Sequence, residues 1–228
     1  MSITYTVNRS RKRRKTISLQ VSGNSGLIVS APYFTPVAEI DRFVREKQNW
    51  ISKTIQKHTE DSIKNKAKKY NTGEHFFYLG QSYPLEVFFE PFENAGVVFW
   101  NNSFHLNAQE NKDLRKHYFV SWYKKKAREY IHQHVYFFSR ELNLQPGNLK
   151  ITSAERRWGS CSADNNLSFS FRLIMAPPDI IDYVIVHELT HIKEKSHSPK
   201  FWKQVEAAMP EYKAHRRWLR DNNHKFIL

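Results

Sequence analysis

From residue 184 to residue 191 the chain reads Val184-Ile185-Val186-His187-Glu188-Leu189-Thr190-His191, which has the pattern H-E-x-x-H. In a helix, side chains four positions apart lie on the same face, so His187 and His191 can converge on one metal ion. Glu188 points partly to the same side, where its carboxylate can accept a proton from metal-bound water instead of binding the metal. The motif therefore predicts a helix that supplies two metal ligands and a general base.

The residues around the motif favour this helix. Pro177-Pro178-Asp179 provides a rigid start and an acidic side chain near the helix N-terminus. Apolar residues then recur at roughly helical spacing: Ile180, Ile181, Val184, Ile185, Leu189 and Ile192. We expect this apolar side to be buried, and we expect the polar run 193–196 to form a turn.

A catalytic zinc ion takes three protein ligands and keeps one position open for water or substrate. His197 is the nearest candidate for the third ligand, because a turn after the helix would bring it back to the metal. Glu194 is a rival ligand, and Glu206 and Glu211 follow further along the chain. The residues predict Zn²⁺ as the cofactor and leave the third ligand open between a histidine and a carboxylate.

Several motifs around these histidines resemble a known family. They are Arg157-Trp158-Gly159-Ser160-Cys161-Ser162, Asn166-Leu167-Ser168-Phe169, the segment 181–191, and His197-Ser198 followed by Phe201-Trp202. In these motifs the chain is similar to the YgjP-like metallopeptidases, which are related in motif to the SprT and WLM zinc proteases. The likeness extends upstream through Arg11-Lys12-Arg13-Arg14-Lys15-Thr16-Ile17-Ser18-Leu19 and covers nearly the whole chain. It implies a zinc-dependent hydrolase in which His187, His191 and His197 bind zinc and Glu188 is the catalytic carboxylate.

The charge of +14 is unevenly distributed over 228 residues. Residues 1–70 carry 15 Lys and Arg against 5 Asp and Glu, residues 71–110 carry 5 acidic and no basic residues, and residues 111–228 carry 21 basic against 12 acidic residues. We predict a basic N-terminal strand and helix module at 1–70, a small antiparallel β unit at 71–110 and a zincin-like catalytic domain at 111–228. The basic surface makes nucleic acid or a nucleotide a candidate partner, and the oligomeric state stays open.

The periodicity predicts an α+β fold, with an active-site helix against a small antiparallel sheet. Strands are expected around residues 3–7, 16–21, 27–31, 76–80, 85–89, 97–100, 104–106, 149–152 and 167–171. Gly23-Asn24-Ser25-Gly26 would close a hairpin, and a long helix is expected from Asp113 to Leu142. Another helix would start at Thr35-Pro36, with Thr35 as its cap and Pro36 in its first turn. The lysine-rich stretch 61–69 suits a linker, and the strand at 167–171 is expected at a sheet edge that could hold an extended peptide.

The chain has one cysteine, Cys161, so it forms no internal disulfide. It shows no signal-peptide-like apolar run and no stretch near the ~20 apolar residues of a membrane span. We therefore expect a cytoplasmic protein without a membrane partner. Cys161 is interpreted as a packed thiol, not as a metal ligand or nucleophile.

The first functional hypothesis is a zinc metallopeptidase that hydrolyses peptide bonds of a polypeptide substrate by Glu-assisted attack of a zinc-bound water. Arg157, Tyr212 and His215 are candidates for binding substrate or for stabilising the oxyanion. One alternative applies the same metal site to nucleoside triphosphates as a pyrophosphohydrolase. Another is a DNA-associated binding protein in which the zinc is structural.

Overall fold

The computed structural model describes residues 4–22, 26–55, 68–91, 94–226 and 228. The chain divides into two compact units, Met1–Lys66 and Ala67–Leu228. Each unit combines helices with small β-sheets, which confirms the α+β class. Most of the predicted lysine-rich linker, residues 61–67, lies outside the described residues. No helix in the described ranges is both long enough and apolar enough to cross a membrane.

The first unit is a three-stranded sheet with a helix. Its elements are β1 (Tyr5–Ser10), β2 (Ser18–Ser22), β3 (Gly26–Pro32) and α1 (Val37–Glu46), and residues 48–55 are again helical. The core joins alternating side chains of β3 to one face of the helical segment: Leu27, Val29 and Ala31 with Ile40, Val44 and Ile51.

Two local predictions for this unit have different outcomes. The antiparallel pairing of β2 with β3 confirms the hairpin, although its turn at residues 23–25 lies outside the described residues. The predicted helix cap at Thr35 is wrong. Pro36 has extended backbone angles (φ −59°, ψ 144°) and occupies the N-cap position, so α1 starts at Val37 without a side-chain capping bond.

The second unit contains seven strands and four α-helices among the described residues. The strands are β4 (His75–Tyr78), β5 (Gln81–Phe88), β6 (Gly96–Trp100), β7 (Ser103–Asn107), β8 (Leu149–Thr152), β9 (Gly159–Cys161) and β10 (Leu167–Ser170). The helices are α2 (Lys112–Glu141), α3 (Pro178–Thr190), α4 (Pro199–Ala208) and α5 (Tyr212–Asn222), with short 3-10 turns at Phe171–Met175 and Asn223–Lys225. The predicted long helix is confirmed as α2, which begins where the Asn111 side chain accepts a hydrogen bond from the Leu114 N–H.

All three sheets share one arrangement. In each, three strands that follow one another in the chain pair so that the third lies between the first and the second. The orders are β1-β3-β2, β4-β5-β7-β6 and β8-β10-β9. The inserted strand is parallel to one neighbour and antiparallel to the other. The sheets expected to be antiparallel are therefore mixed. The strand predicted at an edge, β10, is paired on both sides. Among the described strands, β9 is the one beside α3 that has an unpaired edge.

One hydrophobic core connects the strands and helices of the second unit. Phe76 and Leu85 of the acidic segment 71–110 lie in this core together with Phe119 of α2 and Ile185 of α3. The predicted boundaries at residues 70 and 110, which divide the chain into three segments, remain a prediction. Since α3 is apolar on nearly all sides and is surrounded by this core, it is a firm support for the residues at its C-terminal end.

Candidate metal centre

The last turn of α3 carries the first two histidines of the motif. His187 lies in the final turn, and His191 occupies the C-cap position. The chain turns at once, with the Glu194 N–H donating to the Thr190 carbonyl at 3.1 Å. This turn brings His197 back, so that one nitrogen of each histidine lies within 4.8 Å of the others.

The distances within the histidine cluster fit a single small cation. Nε2 of His187 lies 3.0 Å from Nε2 of His197. Two imidazole nitrogens on a tetrahedral zinc ion, each about 2.0–2.1 Å from it, are separated by about 3.3 Å. The His191 ring centroid lies 5.0 Å from that of His187 and 4.7 Å from that of His197. The arrangement of the three side chains is therefore compatible with one shared metal ion.

Hydrogen bonding and burial also prepare these rings as ligands. Nδ1 of His191 lies 3.0 Å from the Glu194 carbonyl oxygen, to which it can donate, so the Nε2 lone pair remains free to bind metal. Nδ1 of His187 is buried without a hydrogen-bond partner among the described residues. Burial lowers the pKa of His187 to about 3, with further lowering by His191, His197 and Arg216. Neutral imidazole is the form that binds metal.

Glu188 lies beside the cluster and is almost fully buried, with 7% of its surface exposed. Burial raises the pKa of its carboxyl to about 7, and the charge of Arg157 opposes this rise. The side chain packs directly on the backbone of β9, because a Cβ at Gly159 would lie 2.6 Å from Cγ of Glu188. A carboxyl whose pKa is near neutrality can both accept and release a proton at physiological pH.

Phe201 of α4 forms the floor beneath the three histidines. Its ring centroid lies 4.5 Å from that of His191 and 4.9 Å from those of His187 and His197. α4 begins at Pro199, and the Ser198 side chain caps it by accepting a hydrogen bond from the Phe201 N–H. The cap and the floor residue thus belong to the same first turn.

An aromatic stack supports His197, the most exposed of the three histidines. Trp202 stacks on His197 at 5.5 Å, and Tyr212 of α5 stacks on Trp202 at 5.4 Å. The Arg216 guanidinium lies 4.8 Å from the centre of the Trp202 ring. Since His197 follows a turn and not a helix, this stack restricts the orientation of its ring.

The candidate substrate residues occupy different positions around this cluster. Arg157 is exposed, and its charge acts on Glu188. Tyr212 is buried behind Trp202. Nδ1 of His215 lies 3.5 Å from a carboxylate oxygen of Asp179. Their roles in substrate binding or oxyanion stabilisation stay predictions.

The rival ligands have other partners. The Glu194 carboxylate accepts a hydrogen bond from Ser196 at 2.9 Å, and Glu206 pairs with Lys213 at 3.2 Å. Glu211 is an exposed residue at the N-cap position of α5. Cys161 is partly buried, which raises the pKa of its thiol, and it lies outside the histidine cluster.

Gly159 and Arg216 were not singled out as site residues by sequence reasoning. A glycine inside a strand can mark a close backbone approach, so its place in the Arg157–Ser162 motif could have identified Gly159. No sequence signal could have identified Arg216, because its contact with Trp202 depends on how α5 packs against α4.

Comparison with curated proteins gives no match. Among solved structures, the chain is similar to the crystal structure of the metallopeptidase zymogen of Pyrococcus abyssi abylysin, with 20% sequence identity and a TM-score of 0.37. That similarity covers 40% of this chain and 93% of the other. The family model described as "YgjP-like, metallopeptidase domain" matches residues 15–222, so the chain belongs to the YgjP-like metallopeptidase family.

Proposed function

We propose that this protein is a zinc-dependent metallopeptidase with a zincin-like core, in which Glu188 is the general base for hydrolysis of peptide bonds. The observation that carries this proposal is the convergence of His187, His191 and His197 next to a buried carboxyl. Three neutral imidazoles form a ligand set that zinc favours and that leaves a fourth position open. The family match supports the same class of reaction.

When bound, Zn²⁺ would act there as a Lewis acid toward the substrate carbonyl and would lower the pKa of a water molecule. The protein supplies the ligands and the proton transfers. Glu188 accepts the proton that the attacking water loses and then donates it to the nitrogen of the leaving amine. Its carboxyl suits both steps, because burial brings its pKa to about 7.

The free edge of β9 offers a binding position for an extended peptide. The Ser170 N–H donates to the Trp158 carbonyl at 2.8 Å, and the Ser162 N–H donates to the Asn166 carbonyl at 2.9 Å. Hydrogen-bonded pairs alternate along an antiparallel ladder, so the backbone groups of Gly159 and Cys161 point away from β10.

No described strand pairs with that outer edge of β9. A peptide that added to it as a further strand would bond to the backbone of Gly159 and Cys161. Gly159 also contacts Glu188. We therefore propose that β9 holds the substrate main chain beside the general base.

Arg157 is the first choice among the three candidates for stabilising negative charge on the substrate. It is exposed, and its charge already acts on Glu188. Tyr212 is enclosed by the stack with Trp202, and His215 lies next to Asp179. A cation near the reacting carbonyl stabilises the charge that develops on its oxygen.

The test compares wild type with Glu188→Gln in hydrolysis of unfolded protein and of a panel of nucleoside triphosphates, with zinc content measured in parallel. Glu194→Gln is the matched control, because it makes the same change on a carboxylate outside the ligand cluster. We expect Glu188→Gln to lower peptide hydrolysis by about 10²- to 10⁴-fold while zinc content is unchanged. Phosphate release that requires Glu188, with peptides left intact, would contradict the peptidase proposal and favour the nucleotide alternative.

A further inference from the structure

The topology of the first unit brings two distant loops together. β1 is parallel to β3, with Ser10 opposite Pro32, so both strands finish at the same end of the sheet. Residues 11–17 follow β1, and residues 33–36 follow β3. The first loop is rich in arginine and lysine, and the second contains two adjacent aromatic residues, Tyr33 and Phe34.

Arg9 holds the aromatic loop in place. Its Nη1 atom donates to the Tyr33 carbonyl at 2.7 Å and to the Thr35 carbonyl at 2.8 Å. The Thr35 N–H donates to the Pro32 carbonyl at 3.2 Å, which closes the turn. These bonds hold the backbone on both sides of Phe34, so the loop fixes the point from which its side chain extends.

The two aromatic rings of this loop are exposed. Phe34 is 90% exposed and Tyr33 is 43% exposed, and their rings meet edge to face at 5.2 Å. The Arg11 guanidinium lies 4.9 Å from the centre of the Tyr33 ring. Phe34 therefore adds almost nothing to the core of this unit, and its ring is available to a ligand.

An open depression of about 900 Å³ lies between the two loops. Four cations line it, Arg11, Arg13, Arg14 and Lys15, against one acidic residue, Glu39. In the described part of the chain none of these cations forms an ion pair; Arg13 donates to the hydroxyl of Ser18. The depression is therefore strongly positive and borders an exposed aromatic ring.

We propose that this surface, formed by Arg11, Arg13, Arg14, Lys15, Tyr33 and Phe34, binds single-stranded nucleic acid. The cations would contact successive phosphates, and an unpaired base would stack on Phe34. A positive groove next to an exposed aromatic side chain is the combination used for single strands, because every base has a face that can stack. In a duplex the base faces are already stacked on one another, so a duplex could use the cations but not the ring.

The inference does not rest on the proposed peptidase activity, because it involves only residues of the first unit. Binding can be measured by fluorescence anisotropy with the full-length protein and a labelled single strand of about 16 nucleotides. Phe34→Ala should weaken binding by about 5- to 150-fold, the loss that corresponds to one stacked base. Trp100→Ala is the matched control, because Trp100 is a 72% exposed aromatic residue of the second unit, and it should have no effect.

The contribution of the cations is tested by the dependence of affinity on salt. Arg14→Ala with Lys15→Ala should reduce the slope of log affinity against log salt by about 1.4, since each phosphate contact to a single strand contributes about 0.7. Lys116→Ala with Lys125→Ala removes the same charge from exposed positions on α2 and should leave the slope unchanged. Glu188→Gln should bind like wild type, which separates this test from that of the peptidase.

Three results would overturn the proposal. One is equal affinity of the Phe34→Ala and Trp100→Ala variants for the single strand. Another is binding of a duplex of the same sequence at least as tightly, without dependence on Phe34. The third is Phe34-dependent binding to vesicles containing anionic lipid in the absence of oligonucleotide binding, which would identify a membrane surface as the partner.

Discussion

Replacing Gly159 with alanine tests whether the backbone of β9 positions Glu188, the proposed general base. The added Cβ would lie 2.6 Å from Cγ, 2.9 Å from Cδ and 2.8 Å from Oε1 of Glu188. Carbon atoms in ordinary contact are separated by about 3.5–4.0 Å, so the Glu188 side chain must move by about 1 Å. The three atoms nearest to the added methyl group all belong to Glu188, so the clash involves this side chain and not the histidines.

A displacement of about 1 Å at a catalytic group lowers the rate by about 10²-fold. We therefore expect kcat for peptide hydrolysis to fall by about two orders of magnitude in Gly159→Ala. KM should change less, because the backbone groups of β9 stay in place. Zinc content should match that of wild type, and crowding should reduce the free energy of unfolding by about 1–3 kcal/mol.

The assay combines steady-state kinetics on a fluorogenic peptide, zinc analysis and thermal unfolding. Ser160→Ala is the control for a small change on the same strand, since neighbouring side chains of a strand point to opposite faces. Glu188→Ala is the background for a double-mutant cycle in the free energy of unfolding, because it removes Cγ, Cδ and Oε1, the three atoms that the added methyl group would meet. In that background Gly159→Ala should reduce the free energy of unfolding by much less than in wild type. Unchanged kcat in Gly159→Ala, with zinc content intact, would refute the argument that β9 positions Glu188.

Two further predictions concern the third ligand and the aromatic core. His197→Ala should reduce zinc content while Glu194→Ala leaves it unchanged, and equal metal loading in wild type and His197→Ala would contradict the assignment of His197. Tyr70 and Tyr123 are both buried, but the Tyr70 hydroxyl has no hydrogen-bond partner among the described residues, whereas that of Tyr123 donates to the Phe77 carbonyl at 2.7 Å. Chemical denaturation should therefore show Tyr70→Phe to be more stable than wild type by about 1 kcal/mol and Tyr123→Phe to be less stable by about 1–2 kcal/mol; the same sign for both would show that the hydroxyl contacts do not govern stability. Burial raises the pKa of Tyr70 to about 12 from 10.0, so between these pH values the unfolded chain ionises while the folded chain does not. The free energy of unfolding of wild type should therefore be unaffected by this group below pH 10 and should fall as the pH rises from 10 to 12, and Tyr70→Phe should lose less stability over that range, by on the order of 2 kcal/mol.

Much of the metal centre could be predicted from the order of residues, because its spacing is local. His187 and His191 are one helical turn apart, and Glu188 between them is held by the same turn. The third candidate ligand could not be chosen from helical spacing alone. His197 and Glu194 are both close to the helix end in sequence, and the turn at residues 191–194 brings the histidine to the cluster while the Glu194 carboxylate bonds to Ser196.

Strand pairing could likewise be predicted only where the two strands are neighbours in the chain. The hairpins β2–β3 and β6–β7 join neighbouring segments, and alternation with turn residues indicates them. The parallel pairs β1–β3, β5–β7 and β8–β10 join strands that are not consecutive. Alternation shows which face of a strand is buried, but it carries no information about which strand lies alongside. For that reason β10 was expected at an edge, although it lies between β8 and β9.

Three features of this protein therefore follow from local sequence: the helix that carries His187 and His191, the place of Glu188 between them and the hairpins. Each depends on residues a few positions apart, whose relative geometry is set by the repeat of a helix or a strand. Tertiary packing alone decides that Gly159 meets Glu188, that Trp202 stacks between His197 and Tyr212, and that the loops after β1 and β3 meet. Those contacts join residues whose separation in the chain carries no geometric information, and they exist only because burial of the shared core brings the elements together.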